Sequence, residues 1–223
     1  MKLAASKVLL PAVFCLGILT VSTAQAASGT FGIKGGLSFS DQDWDYSETP
    51  DLIEPDHLTG VALGVFIDFP LTSFASLRPE ALYVRKGNSM DFIRTNDFGE
   101  ILGTDTYKDR IDYLSLLVTA KIKTPIKFVG DWYVLGGPRL DFKINTNSDM
   151  NSDEWNLIMD SYKDAVPGLT LGLGMDKQLG TSWGVLLEAR YDLDLGNEME
   201  LNTSFNDIEI KSKSLMILAG ITF

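Results

Sequence analysis

The sequence predicts an all-β chain: an eight-stranded antiparallel up-and-down transmembrane β-barrel with short periplasmic turns and four long extracellular loops. Three observations carry that expectation. Eight successive segments alternate polar and apolar side chains with a period of two. Short and long connections take turns between them. The polar faces of the strands carry as many basic as acidic side chains.

The first element is an address. Lys2 and Lys7 precede an apolar run from Val8 to Val21, and Ala24-Gln25-Ala26 closes it as a small-x-small cleavage site. That pattern is a secretory signal peptide over residues 1–26, which leaves 27–223 as the barrel domain. The only cysteine, Cys15, lies inside the apolar run behind bulky Phe14, which excludes a lipoprotein site and leaves the mature chain without a thiol. Beyond residue 26 no stretch approaches the ~20 apolar residues of a membrane helix, whereas a barrel strand needs only ~9–11 alternating ones.

The strands fall near 30–39, 59–69, 76–87, 109–123, 131–145, 166–177, 183–195 and 210–223. In the first, Phe31 and Phe39 mark the apolar face, and Gly32, Lys34 and Gly36 the polar one. The second sets Phe69 against Gly64 and Asp68; the third sets Tyr83 against Arg78, Glu80 and Lys86; the fourth brings Lys121. The fifth places Trp132, Val134, Leu140, Phe142 and Ile144 against Tyr133, Arg139, Asp141 and Lys143. Gly168, Gly172, Gly174 and Asp176 line the polar face of the sixth. The seventh alternates most cleanly, Val185 to Leu195 against Glu188, Arg190, Asp192 and Asp194. The last places Leu215, Ile217, Ile221 and Phe223 on its apolar face. Long connections at 40–58, 88–108, 146–165 and 196–209 exchange with short ones at 70–75, 124–130 and 178–182.

Alternation alone fits a soluble barrel with its charges in water as well as a membrane barrel with its charges inside. Three features favour the membrane arrangement. Aromatic residues end the apolar face at both rims: Phe31, Phe69, Trp132, Trp183 and Phe223 near the short turns, and Phe39, Tyr83, Phe142 and Tyr191 near the long loops. The polar face is rich in glycine, which makes room for long neighbours in a narrow lumen. Its ionisable groups number seven basic (Lys34, Arg78, Lys86, Lys121, Arg139, Lys143, Arg190) and seven acidic (Asp68, Glu80, Asp141, Asp176, Glu188, Asp192, Asp194). Buried ions need partners and exposed ones do not.

Eight strands enclose a space just wide enough for side chains to fill, so these groups are expected to plug the lumen as an ion-pair network rather than to line a pore. Arg78, Glu80, Arg139, Asp141, Glu188 and Arg190 are expected at similar heights in it. The net charge of −11 falls in the long loops, which hold twenty acidic residues and three basic ones. That balance excludes nucleic acid as a partner. Asp41-x-Asp43-x-Asp45 has the spacing that opens a Ca²⁺ loop, but Tyr46 and Leu52 stand where an EF-hand has Gly and Glu. Two readings stand: a divalent cation shared between loops or bridging to lipopolysaccharide phosphates, and a solvated rim. Trp155, Ile158, Met159 and Tyr162, with Ser152 as N-cap, describe a short amphipathic helix in the third long loop. His57, the single histidine, has no serine beside it, so the chain is read as non-enzymatic and without a cofactor.

The ordered motifs resemble the PorT-like outer-membrane β-barrel family, of the small OmpA-type architecture. They are Gly32-Ile-Lys-Gly-Gly-Leu-Ser-Phe-Ser40, Leu77-Arg-Pro-Glu-Ala-Leu-Tyr83 with Lys86-Gly87, Tyr113-Leu114 leading to Lys121, Val134-Leu-Gly-Gly-Pro138, Gly172-Leu-Gly174, Glu188-Ala-Arg-Tyr191 and the terminal Phe223. Leu117 departs from the family, many of whose members have Pro there. The resemblance implies an eight-stranded barrel in the outer membrane of a Gram-negative bacterium, in contact with lipid and lipopolysaccharide. It implies no assigned reaction. Phe223 looks like the signal that the barrel-assembly machinery reads. The expected roles are a membrane scaffold that presents its loops to an extracellular or envelope protein, a narrow cation-favouring passive channel, or an accessory part of a secretion system.

Overall fold

Strands with one polar and one apolar face satisfy both by closing into a cylinder, because closure also removes every unpaired edge. The computed structural model describes residues 29–46, 56–96, 98–126, 128–150, 161–202 and 207–223. The leader at 1–26 and the body of the helix expected in the third long loop lie outside them. The strands are β1 (Thr30–Tyr46), β2 (Asp56–Pro70), β3 (Ala75–Thr95), β4 (Ile101–Lys123), β5 (Asp131–Ser148), β6 (Ala165–Gln178), β7 (Gly184–Asp194), β8 (Met199–Asn202) and β9 (Asp207–Thr222). Each long strand pairs antiparallel with the next, and β1 pairs with β9 from Gly32↔Thr222 to Tyr46↔Ile208, which closes an eight-stranded ring. β8 pairs only with β9, above the last β7 pair. No helix among the described residues is long and apolar enough to cross a membrane.

Most strands run past their expected ends on the long-loop side, β1, β3 and β4 by seven or eight residues, whereas β6 and β7 end within one residue of expectation. The connection expected at 88–108 is mostly a hairpin, with β3 and β4 in register from Asn88↔Asp109 to Thr95↔Ile101. Its tip is shaped by Asn96, whose Oδ1 accepts the N–H groups of Phe98 (3.0 Å) and Glu100 (2.9 Å). Cross-strand pairs hold the hairpin: Phe92 edge-on to Tyr107 (centroids 5.6 Å apart), and Thr106 Oγ1 donating to Asp91 (2.6 Å). Likewise Asp41, Asp43 and Asp45 lie in β1 rather than in a loop, and 199–202 pairs with 207–210 inside the last expected loop. The cause is common to all of them. Above the aromatic belt the outward faces meet water, and the buried inward faces mix Gln42, Asn88 and Ser212 with Met90 and Ile210, so the polar–apolar contrast that marks a membrane strand is lost.

Closure is staggered. The row of paired residues that starts at Phe69 passes through Leu77, Ala120, Gly136, Leu171, Tyr191, Leu215 and Phe39 and returns to β2 at Thr59, ten residues from its start. One circuit therefore climbs from the short-turn rim to the aromatic belt at the other rim. Outward-facing apolar side chains such as Leu63 (60 % exposed) and Leu171 (58 %) cover the wall between the belts. The curvature has a cost at Gly36, where an added Cβ would overlap the Ile217 carbonyl on β9. Gly36→Ala is expected to destabilise the barrel by about 1–3 kcal/mol, read as a lower urea midpoint, because two paired strands must shift to admit one methyl group.

Candidate functional site: the filled lumen and its mouth

Inward-pointing residues of seven ring strands, β1 to β7, form two ion-paired clusters in the lumen, and β9 lines it with Ser214, Met216 and Leu218. In the lower one, nearer the short turns, Arg78 grips Asp68 through Nε (2.5 Å) and Nη2 (2.7 Å) and reaches Glu188 through Nη1. Glu188 also accepts bonds from Lys34 Nζ (3.1 Å), Arg190 Nε (2.8 Å) and the Tyr133 hydroxyl (2.6 Å). Glu80 bridges Lys34 (2.6 Å) and Arg190 (2.6 Å). Lys121 joins Asp68 (3.0 Å) to Asp176. Four cations thus meet four carboxylates. The Phe66 ring lies 4.3 Å from the Arg78 guanidinium and the Tyr133 ring 4.1 Å from Lys121 Nζ, so aromatic faces cover charge that the carboxylates do not. Below this cluster a cavity of about 190 Å³, lined in part by Asp68, Lys121 and Asp176, opens between the short turns.

In the upper cluster Lys86 binds Asp141 (2.7 Å) and Asp194 (3.3 Å), while Arg139 meets Asp141, Asp194 and, at 3.5 Å, Asp192. Thr170 Oγ1 donates to Asp192 (2.7 Å). Gly168 lies against the Arg139 guanidinium, where a Cβ would come within 2.5 Å of Nη2. Among the described residues no ion pair joins the two clusters. Between them, on β3, β4 and β5, sit Leu82, Val84, Leu117 and Leu135, and the same apolar layer takes in Ala62, Met216 and Leu218.

The expectation of one network at one height is therefore corrected. Arg78, Glu80, Glu188 and Arg190 share the lower cluster, while Arg139 and Asp141 belong to the upper one. The stagger explains the division. Glu80 is paired through Leu117 to Arg139, then Gly168, then Asp194, so a row that starts in the lower cluster arrives in the upper one.

Of the remaining expected positions, Lys143 Nζ donates to the carbonyl of Tyr162. Phe31 stacks on Phe223 (centroids 6.5 Å apart, planes at 24°) on the outer wall. Tyr83 and Phe142 share one paired row through Leu114, as Tyr191 and Phe39 do through Leu215. Asp41 pairs with Lys213 at 3.4 Å, and Asp43 is in register with Lys211. The side chains of Asp43 and Asp45 lie outside the described residues, among which no trio of His, Cys, Asp or Glu is arranged to hold a metal. His57 is exposed on β2, opposite Asn88.

Above the upper cluster lies a polar cap that the alternation analysis missed. Gln42 accepts from Asn88 Nδ2 (2.5 Å), and its own Nε2 donates to Glu198 (3.2 Å) and to the Tyr162 hydroxyl (3.5 Å). Ser212 Oγ donates to the same Glu198 oxygen (2.5 Å). Gln42, Asn88 and Ser212 continue the inward parity of Lys34, Lys86 and Met216, a signal already present in the sequence. Tyr162 ends the apolar stripe expected in the third long loop and is buried here, whereas Glu198 comes from a connection and had no such signal.

The sequence profile described as outer membrane protein beta-barrel domain matches residues 23–200. No curated protein matches the sequence. Among solved structures, the attachment invasion locus protein Ail of Yersinia pestis, in complex with the heparin analogue sucrose octasulfate, is similar at 14% identity and TM-score 0.42, over 87% of this chain and 99% of its own. OprG of Pseudomonas aeruginosa is similar at 14% identity and TM-score 0.47, over 88% and 97%. Neisserial surface protein A is similar at 13% identity and TM-score 0.45, over 86% and 97%.

Proposed function

The chain belongs to the outer membrane protein beta-barrel domain family, and on that premise we propose that it is a sealed, non-enzymatic barrel that works through what it presents outside the cell. The observation that carries this reading is the filling of the lumen: two ion-paired clusters with an apolar layer between them. Every strand of the eight-stranded ring contributes side chains to that filling, which leaves the surface beyond the upper aromatic belt as the place for recognition. The β3–β4 hairpin supports this, since it stands clear of the wall and carries Phe98 at 90 % exposure with Ile101 and Leu102 beside it. An extracellular or envelope protein is the partner class that such a hairpin suits.

The reading has further parts. A leader over 1–26 takes the chain to the periplasm, the barrel-assembly machinery reads Phe223, and lipid and lipopolysaccharide surround the two aromatic belts. The PorT-like branch is the placement that the ordered motifs support. An accessory role in secretion would follow from that branch alone.

Single-channel recording of the refolded mature chain in a planar bilayer is the test. Folded protein is expected to give no conductance steps. Steady cation-selective steps would overturn the sealed reading in favour of a narrow passive channel whose acidic mouth concentrates cations.

A further inference from the structure

The acids of the lumen have cationic partners: Asp68, Glu80, Asp141, Asp176, Glu188, Asp192 and Asp194 each meet a Lys or Arg. Glu198 at the mouth is as deeply buried, at 0 % exposure, yet it is held by the Gln42 amide and the Ser212 hydroxyl. Beyond them, the Asp194 carboxyl and the Tyr113 hydroxyl stand within hydrogen-bonding reach of its carboxyl group. Its main chain is a crossing point. The N–H donates to the Ile210 carbonyl (2.7 Å) on β9, and the carbonyl accepts from the N–H of Lys163 (2.7 Å) in the connection between β5 and β6. One residue therefore ties two extracellular connections across the barrel mouth. Ile210 is in register with Trp44, five residues nearer the loops than the Leu215–Phe39 pair of the aromatic belt, so the crossing stands outside the membrane.

We propose that Glu198 is a proton-binding site that latches residues 161–164 against residues 195–198 at the mouth and releases them when it ionises. The groups around it set the balance. Asp194 from β7 opposes a second negative charge, and Lys86 from β3 favours one, although Lys86 is already bound to Asp141 and Asp194. Tyr113 from β4 and Tyr162 from the connection present neutral hydroxyls, and Asp109 from β4 adds negative charge near Tyr162. Lys143 and Lys163 reach this corner through the Tyr162 carbonyl and the Lys163 N–H.

Burial, and then the charge of Asp194, push the Glu198 carboxyl up to about 7, from an ordinary value of 4.5 in the released form. The latched form thus holds one proton more than the released form between those values. The latch is at full strength below that window, weakens as pH rises through it, and stays weak above it.

The test is cleavage after Lys163 by a lysine-specific protease, followed by mass spectrometry on the refolded chain in liposomes and corrected with a reference peptide at each pH. Cleavage is expected to be about 30-fold faster at pH 8.5 than at pH 5.5, the ratio of released fractions that those two acidities give. Glu198→Gln, a neutral isostere, is expected to keep cleavage slow at both. Equal rates for the unaltered chain at the two pH values would overturn the latch, as would a Glu198→Gln chain that keeps the full pH dependence. Should that variant fail to fold, the unaltered chain still decides the matter by infrared spectroscopy. A carboxylic-acid carbonyl band that titrates near pH 7 is expected, and its absence at pH 5.5 would overturn the assignment.

Discussion

Glu188→Ala is expected to destabilise the barrel by about 3–5 kcal/mol, because it leaves the buried lower cluster with one positive charge in excess. Glu188 is the hub of the lower cluster, taking bonds from Arg78, Lys34, Arg190 and Tyr133 at once. Without it, four cations face only Asp68, Glu80 and Asp176, and Lys34, Arg78 and Arg190 have fully buried side chains. Each cation keeps one carboxylate, so the ring is expected to close but to unfold at a lower urea concentration. The control is charge balance. Adding Lys34→Met removes one of the two cations, Lys34 and Arg190, that Glu188 shares with Glu80, and the double variant is expected to lose less than the sum of the single losses by about 1–3 kcal/mol. An unchanged urea midpoint for Glu188→Ala would mean that the cluster contributes nothing net, as happens when desolvation offsets attraction.

The legible part of this molecule is the part in contact with lipid. Where one face of a strand meets hydrocarbon and the other a crowded lumen, side chains must alternate, as Glu188, Arg190, Asp192 and Asp194 do against Leu187, Ala189, Tyr191 and Leu193. Those residues announced their strand, their direction and their charged company. The β3–β4 hairpin was not legible because Met90, Phe92 and Tyr107 share one face with Arg94 and Asp105, so neither face is consistently polar or apolar. Contact partners were legible only within a strand or across a turn. Which inward residues meet across the lumen depends on the ten-residue stagger, a property of the closed ring that no single segment contains. That is why Arg139 and Arg190, both read as lumen cations, belong to different clusters. Glu198 was hidden for another reason: its burial is imposed by two connections folding together, and connections have no period.

The layered filling makes a second prediction. Leu82→Ala with Met216→Ala, two fully buried side chains of the apolar layer, is expected to destabilise strongly, each substitution by about 2–5 kcal/mol through lost packing and a residual cavity. The same double variant, where it folds, is expected to stay electrically silent. An ion that reached the vacated layer would still face a cluster on either side in which the charges are already paired. Passing Arg139, for example, would mean breaking contacts with Asp141, Asp192 and Asp194 together. A water-filled gap between two closed layers conducts no better than the original filling. Conductance steps in this variant would reverse the order of importance. The apolar layer would then be the gate, as in pores that close by excluding water, and the ion-paired clusters would be permeable structures that only hold the wall in shape. Stability and conductance are therefore expected to part company: the layer that costs most to remove in folding is not the one that seals the lumen alone.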